Sequence, residues 1–244
     1  MAVYEARKGQ VSYGYTIGML SAEWHIPFPP GDIGNASTFD FPIRYLGIEG
    51  MDGSAVLNGA DPESTGRVVE AALRLQDEGV RAITSNCGFM AAYQPAVAEA
   101  LDVPVFLSSL QQLPMLTSML GRHRKLALVT ANGANMTPAL LDAAGVTDHS
   151  RLHVVGMESY EHFVDAIFRE TGTLDTDVME RDVVDAAVRA TREVPVGGIF
   201  LECSDLPPYA SAVHRATGLP VWDWAQFIRY VHAAVAPKPY SGTF

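Results

Sequence analysis

Cysteine is the scarcest reactive residue in this chain, with two among 244 residues, Cys87 and Cys203. A thiolate serves as base or nucleophile, and a thiol can return a proton. The bland alternative is that each is a small buried hydrophobe, as most free cysteines are. An internal repeat argues for chemistry. Adding 116 to a position reproduces nine residues across the 26 positions from 80 to 105, so that Val80, Ile83, Cys87, Tyr93 and Pro104 fall on Val196, Ile199, Cys203, Tyr209 and Pro220. Two strand-turn-helix units share Val, Ala and Pro by composition alone. Composition does not explain why the only two cysteines coincide.

In each copy the thiol follows an apolar strand and precedes a helix, and open parallel sheets bind ligands at the carboxyl ends of their strands. Two such units packed face to face would put the thiols on opposite sides of one cleft. One could then take a proton from a carbon acid while the other returns one to the opposite face, which inverts a stereocentre without a cofactor. Backbone N–H groups of the same turns would hold a substrate carboxylate and its developing enolate charge. Asn86, Gly88 and Ser204 flank the thiols and are candidate substrate contacts; Gly88 would let the backbone approach the ligand closely.

The elements that must position these turns alternate. Apolar runs at 16–20, 43–48, 80–84, 103–107, 125–130, 152–155, 198–202 and 220–222 read as strands. Helical patterns at 62–78, 90–101, 110–120, 138–144, 160–193 (interrupted at Gly172), 208–216 and 225–236 separate most of them. Such alternation with short connections implies α/β architecture, parallel sheets covered by helices. The stretch from 21 to 42, rich in Pro, Gly and aromatics, follows neither period; Trp24, His25 and Phe28 would either cover the cleft or form an oligomer contact.

The segments Thr84-Ser85-Asn86-Cys87-Gly88-Phe89 and Leu201-Glu202-Cys203-Ser204-Asp205, so spaced and so embedded, resemble the aspartate/glutamate racemase superfamily over nearly the whole chain. That superfamily includes cofactor-independent amino-acid and hydantoin racemases, arylmalonate decarboxylases and maleate isomerases. The resemblance implies two pseudo-symmetric α/β lobes with the active site in the cleft between them, and Cys87 and Cys203 as the catalytic pair. It also implies that the final helix returns to the first lobe, giving lobes of 1–120 plus 223–244 and of 121–222. Amino-acid racemases of the family carry Cys-Asn-Thr and Cys-Thr-His where this chain has Cys87-Gly88-Phe89 and Cys203-Ser204-Asp205, and their Asp-Ser pair after the first strand is replaced by Ser21-Ala22-Glu23. Arylmalonate decarboxylases keep only the second cysteine and resemble the chain less; maleate isomerases keep both.

Ser21, Thr130 and Asn132 lie at strand ends where the superfamily places substrate contacts, although Asn132 also suits a plain turn. Asp205 or Glu202 could tune Cys203. A neighbouring carboxylate raises a thiol pKa, so hydrogen-bonding or surface roles serve equally well for both.

The formal charge of −11, from 17 basic and 28 acidic residues, disfavours nucleic acid and anionic membranes as partners. No apolar run reaches the roughly 20 residues of a membrane helix, and the opening segment lacks a secretory pattern. A soluble cytoplasmic enzyme with reduced thiols is expected. The seven histidines show no metal-ligand spacing and no dinucleotide or phosphate-loop motif occurs, so neither metal nor cofactor is expected. The leading expectation is a racemase or isomerase of a small carboxylate-bearing or hydantoin-like molecule, with a homodimer or higher homo-oligomer as the candidate assembly. The alternatives are an isomerase or decarboxylase using one cysteine as nucleophile or proton donor, and a non-catalytic metabolite-binding module.

Overall fold

The structure, a computed structural model, describes residues 12–53 and 60–240 and the isolated positions 3, 10, 56 and 242. Strands β1 (Ile17–Glu23), β2 (Ile43–Asp52), β3 (Ala82–Ser85) and β4 (Val105–Phe106) form one parallel sheet in the order β2-β1-β3-β4. Strands β5 (Lys125–Thr130), β6 (Leu152–Gly156), β7 (Val196–Leu201) and β8 (Val221–Asp223) form a second in the order β6-β5-β7-β8. All pairings are parallel, and the two orders are the same permutation. The internal repeat is therefore a repeat of topology.

Burial on both faces explains the strand sequences. In β5, Ala127 and Val129 enter one core while Leu126 and Leu128 enter another, the period of two that a strand imposes. In β1, Leu20 and Ala22 face one core and Ile17 and Met19 the other.

Helix α1 (Pro62–Asp77) starts where Asp61 and Ser64 form a reciprocal capping box, and Gly79 follows it at a φ of +92°. The helical pattern after Cys87 opens as a 3-10 turn, Gly88–Tyr93, and becomes α2 (Gln94–Ala100). Its counterpart after Cys203 has the 3-10 turn Pro207–Tyr209, so the repeat extends to the way each helix starts. Helix α3 (Leu113–Met119) lies between β4 and β5, and α4 (Pro138–Ala143) between β5 and β6. The stretch from 160 to 193 is helical on both sides of a break at Gly172, as expected, but the two parts differ in kind. A turn at Glu161–Phe163 runs into a π-helical segment, Val164–Phe168, and after Gly172 at a φ of +77° helix α5 (Thr176–Glu193) begins under its own cap, Asp175. Helices α6 (Ala210–Thr217) and α7 (Trp224–Val235) follow. Trp224 and Ile228 of α7 are fully buried in a core with Ile17, Met19 and Phe106 of the first sheet. Among the described residues, no helix is long and apolar enough to cross a membrane.

Candidate active site

Both cysteines sit one turn past the carboxyl end of a central strand. Cys87 follows β3 and Cys203 follows β7, and both line one narrow cavity with Asn86, Gly88, Glu202, Ser204 and Asp205. Each thiol is 9% exposed, so it reaches the cavity and little else. The cavity's other wall is apolar: Trp24, Ile26 and Phe28 from the loop after β1, Phe89, and Ile167 and Phe168 from the π-helical segment. No Lys, Arg or His lines it among the described residues. The irregular loop after β1 thus lines the cleft. His25 N–H donates to Glu170 Oε2 (2.7 Å), which joins that loop to the segment following the π helix. A wider outer pocket shares Trp24 and Phe168 and adds Glu23, Asp52 and Glu170.

The two thiols differ electrostatically. Burial pushes Cys87 up to about 12, opposed by the Phe89 N–H, with further upward contributions from Glu202 and Asp205. Cys203 is pushed well above the usual thiol range, first by burial and then by Asp205 and Glu202. Its Sγ–H donates to Asp205 Oδ2 at 3.0 Å, an oxygen that also accepts from Ser204 Oγ at 3.3 Å.

Behind Asp205 lies Asp32, fully buried on the loop after β1. Ile33 N–H reaches Ser204 O (3.5 Å), and Gly31 packs so tightly on Pro208 that a side chain there would meet its Cα. Asp32 Oδ1 accepts from Gly34 N–H at 2.6 Å. The two carboxyls influence each other's protonation. Asp32 Oδ2 and Asp205 Oδ1 are buried without a hydrogen-bond partner among the described residues, which favours the protonated form of these acids. Burial raises Asp32 well above the carboxylate range and raises Asp205 as well.

Glu202 is 1% exposed, and burial pushes it up to about 7 against the Thr130 hydrogen bond, with Asp205 adding to the rise. Thr130 Oγ1 donates to its Oε2 at 2.8 Å. Ser109 Oγ donates to its backbone carbonyl at 2.8 Å.

Of the residues expected from sequence to contact substrate, Asn86, Gly88 and Ser204 reach the cavity. Asn86 also ties the ends of two strands together, its Oδ1 accepting from Ala22 N–H (3.0 Å) and its backbone N–H donating to Leu20 O (3.0 Å). Ser21, Thr130 and Asn132 do not line the cavity. Ser21 pairs with Gly47 within the sheet, and Asn132 caps a 3-10 turn by accepting from Ala134 N–H. Thr130 is fully buried and meets the cavity through Glu202. Sequence reasoning left Glu202 and Asp205 open to surface roles; both are buried. It missed Asp32, which no local motif marks. For Glu202 and Asp205 the available signal was a carboxylate immediately before Cys203 and another two residues after it.

Comparison with known proteins agrees with this architecture. The chain is 31% identical over 237 residues to dimethylsulfoniopropionate lyase 7 of Emiliania huxleyi (strain CCMP1516), covering 93% of this chain and 69% of that protein. Lyase 5 of the same strain is 30% identical over 235 residues, and this chain spans 46% of its length. A glycine-to-cysteine mutant of arylmalonate decarboxylase shares the fold with a TM-score of 0.59 and 24% identity, over 93% of this chain and 97% of that one. Glutamate racemase from Bacillus anthracis does so with a TM-score of 0.58 and 17% identity, over 92% and 85%. The Asp/Glu/hydantoin racemase family model matches residues 46–228. The chain belongs to the Asp/Glu/hydantoin racemase family.

Proposed function

We propose that this protein is a carbon-acid lyase that eliminates a β-sulfonium group from a small carboxylate of the dimethylsulfoniopropionate type. The observation that carries the reading is the cavity wall. Trp24, Phe28, Phe89 and Phe168 line the same cavity as two thiols and two carboxyls, with no basic side chain among the described lining residues. An alkylated sulfonium has no N–H to satisfy, and aromatic faces attract it through their quadrupole. The named lyases to which the chain is similar point the same way.

Cys87 is the proposed base, because its turn offers the Phe89 N–H while Cys203 is held as a thiol by Asp205. A bound sulfonium supplies the positive charge that the cavity lacks and favours the Cys87 thiolate. That thiolate takes the proton from the carbon next to the carboxylate. The freed electron pair forms the C=C bond as the C–S bond breaks, and the sulfur keeps its bonding pair and leaves as neutral dimethyl sulfide. Acrylate remains, and the proton on Cys87 passes to water before the next turnover.

Incubation with dimethylsulfoniopropionate and detection of dimethyl sulfide and acrylate in equal amounts tests the reading. Absence of both products from folded protein would overturn it. A second reading, racemisation of a small amino acid or hydantoin, draws on the two cysteines in register. It gains if α-proton exchange with deuterated solvent occurs without elimination and needs both thiols.

A further inference from the structure

We infer that Glu202 works as a neutral carboxylic acid whose Oε1–H donates to the carboxylate of the substrate. The inference builds on the carbon-acid reading of the cavity. Three observations carry it. Glu202 lines the cavity between the turns that bear Cys87 and Cys203, and it is almost fully buried there. Its Oε2 is engaged, since the Thr130 hydroxyl donates to it. Its Oε1 is buried with no hydrogen-bond partner among the described residues.

Thr130 gives its one hydroxyl hydrogen to Oε2, so the proton of the neutral acid sits on Oε1, the oxygen without a partner among the described residues. The Cys87 turn leaves space for that oxygen: a Cβ at position 88 would collide with Glu202 Oε1. A small carboxylate entering a cavity without Lys, Arg or His needs donors, and a neutral Glu202 is one that carries no charge to repel it. The bond also strengthens as the α-proton leaves, because charge then builds on the same carboxylate oxygens. A carboxylic acid kept neutral by an apolar site so that it can donate is a known device for carbon-acid chemistry.

Burial places the loss of this proton near neutral pH. The other titratable groups facing Glu202 are Asp205 from the following turn, with Asp32 behind it, and the two thiols. The thiols are pushed above their usual range, so they titrate on the alkaline side of Glu202.

The test uses 3-(trimethylammonio)propanoate, which keeps the carboxylate and an onium group, as a binding probe, with calorimetric titration from pH 6 to 9. For the unaltered protein Kd should rise about tenfold per pH unit once Glu202 ionises, because the acid form alone donates. Glu202→Gln keeps an acceptor for Thr130 and gains a permanent N–H donor, so it should bind within about threefold of the pH 6 value throughout. Glu202→Leu, which removes the donor and fills the space, should bind at least tenfold more weakly at pH 6. A flat profile for the unaltered protein, or a folded Glu202→Gln protein as weak as Glu202→Leu, would overturn the inference. So would a failure of the probe to bind at any pH. Binding that follows the expected pattern without cleavage of dimethylsulfoniopropionate would leave Glu202 in this role and remove the lyase reading.

Discussion

The Cys203 thiol donates to the Asp205 carboxyl at 3.0 Å, whereas Cys87 lies against a backbone N–H, that of Phe89. Two thiols at equivalent positions of a repeated topology are therefore chemically unlike. A carboxyl that accepts from a thiol holds it protonated; an amide that donates to a sulfur favours its anion. The pseudo-symmetry that brings the pair together does not extend to their proton affinities.

This asymmetry separates elimination from racemisation. Elimination needs one base, so Cys87→Ser should lower kcat by about a thousandfold, within the range a positioned base contributes. Cys203→Ser, whose hydroxyl can still donate to Asp205, should stay within about tenfold. Steady-state rates of dimethyl sulfide release check this. Equal, near-total loss in both variants would point to transfer between two faces and to the racemase reading.

Asp32 gives a stability prediction with a definite sign. Its folded pKa is raised, first by burial and then by Asp205, so the folded state keeps a proton that the unfolded chain releases in the ordinary carboxylate range. Stability from this group is present below that range and is lost as pH rises toward the folded value. Asn at position 32 retains the oxygen that accepts from Gly34 N–H and offers Asp205 a donor at every pH. Asp32→Asn should therefore raise Tm more at pH 8 than at pH 5. For a chain of this size each kcal/mol corresponds to roughly 2–4 °C. Scanning calorimetry at the two pH values reads the difference, and an equal change at both would show that no proton is shared with Asp205.

Much of this was legible in the sequence because it depends on local period and on repetition. The strands were marked by short apolar runs buried on both faces, and Cys87 and Cys203 by their coincidence at one offset. The Asp32 carboxyl was not legible, since its partner Asp205 is 173 positions away and only the path of an irregular loop brings them together. Thr130 was marked correctly as a strand end, but which way its hydroxyl points depends on Glu202, one residue beyond a neighbouring strand. Ser21 and Asn132 were placed by analogy with strand ends, and the backbone there uses them for pairing and for capping.

The aromatic wall predicts a selective effect on affinity. Trp24 lines both the inner cavity and the acidic outer pocket, so the proposed cationic substrate would meet it. Trp24→Leu keeps apolar bulk and removes the ring face. A desolvated cation–π contact of about 2 kcal/mol corresponds to a loss of roughly thirtyfold. KM for dimethylsulfoniopropionate should rise by about that factor with kcat little changed, whereas affinity for 4,4-dimethylpentanoate, an uncharged-tail analogue of the onium probe, should move less than threefold. Parallel losses for both molecules would mean that the tryptophan contributes shape alone.

Gly88 is required by its neighbour and not by its own backbone, which is the basis of the last prediction. A methyl group at 88 would meet Glu202 Oε1 and crowd Cδ, and Glu202 is fixed from behind by Thr130. Gly88→Ala should therefore displace either the acid or the Cys87 turn and cost about a hundredfold or more in kcat/KM, since a shift of an ångström at a reacting centre has that effect. In a Glu202→Ala background the obstruction is gone, so the same change at 88 should cost less than about threefold further. Residues in contact give this kind of non-additivity, and those acting independently do not. A double-mutant cycle on kcat/KM measures it, with melting temperatures confirming that all four proteins fold. Additive losses would mean that position 88 matters for the conformation of the Cys87 turn itself and that its clearance for Glu202 is incidental.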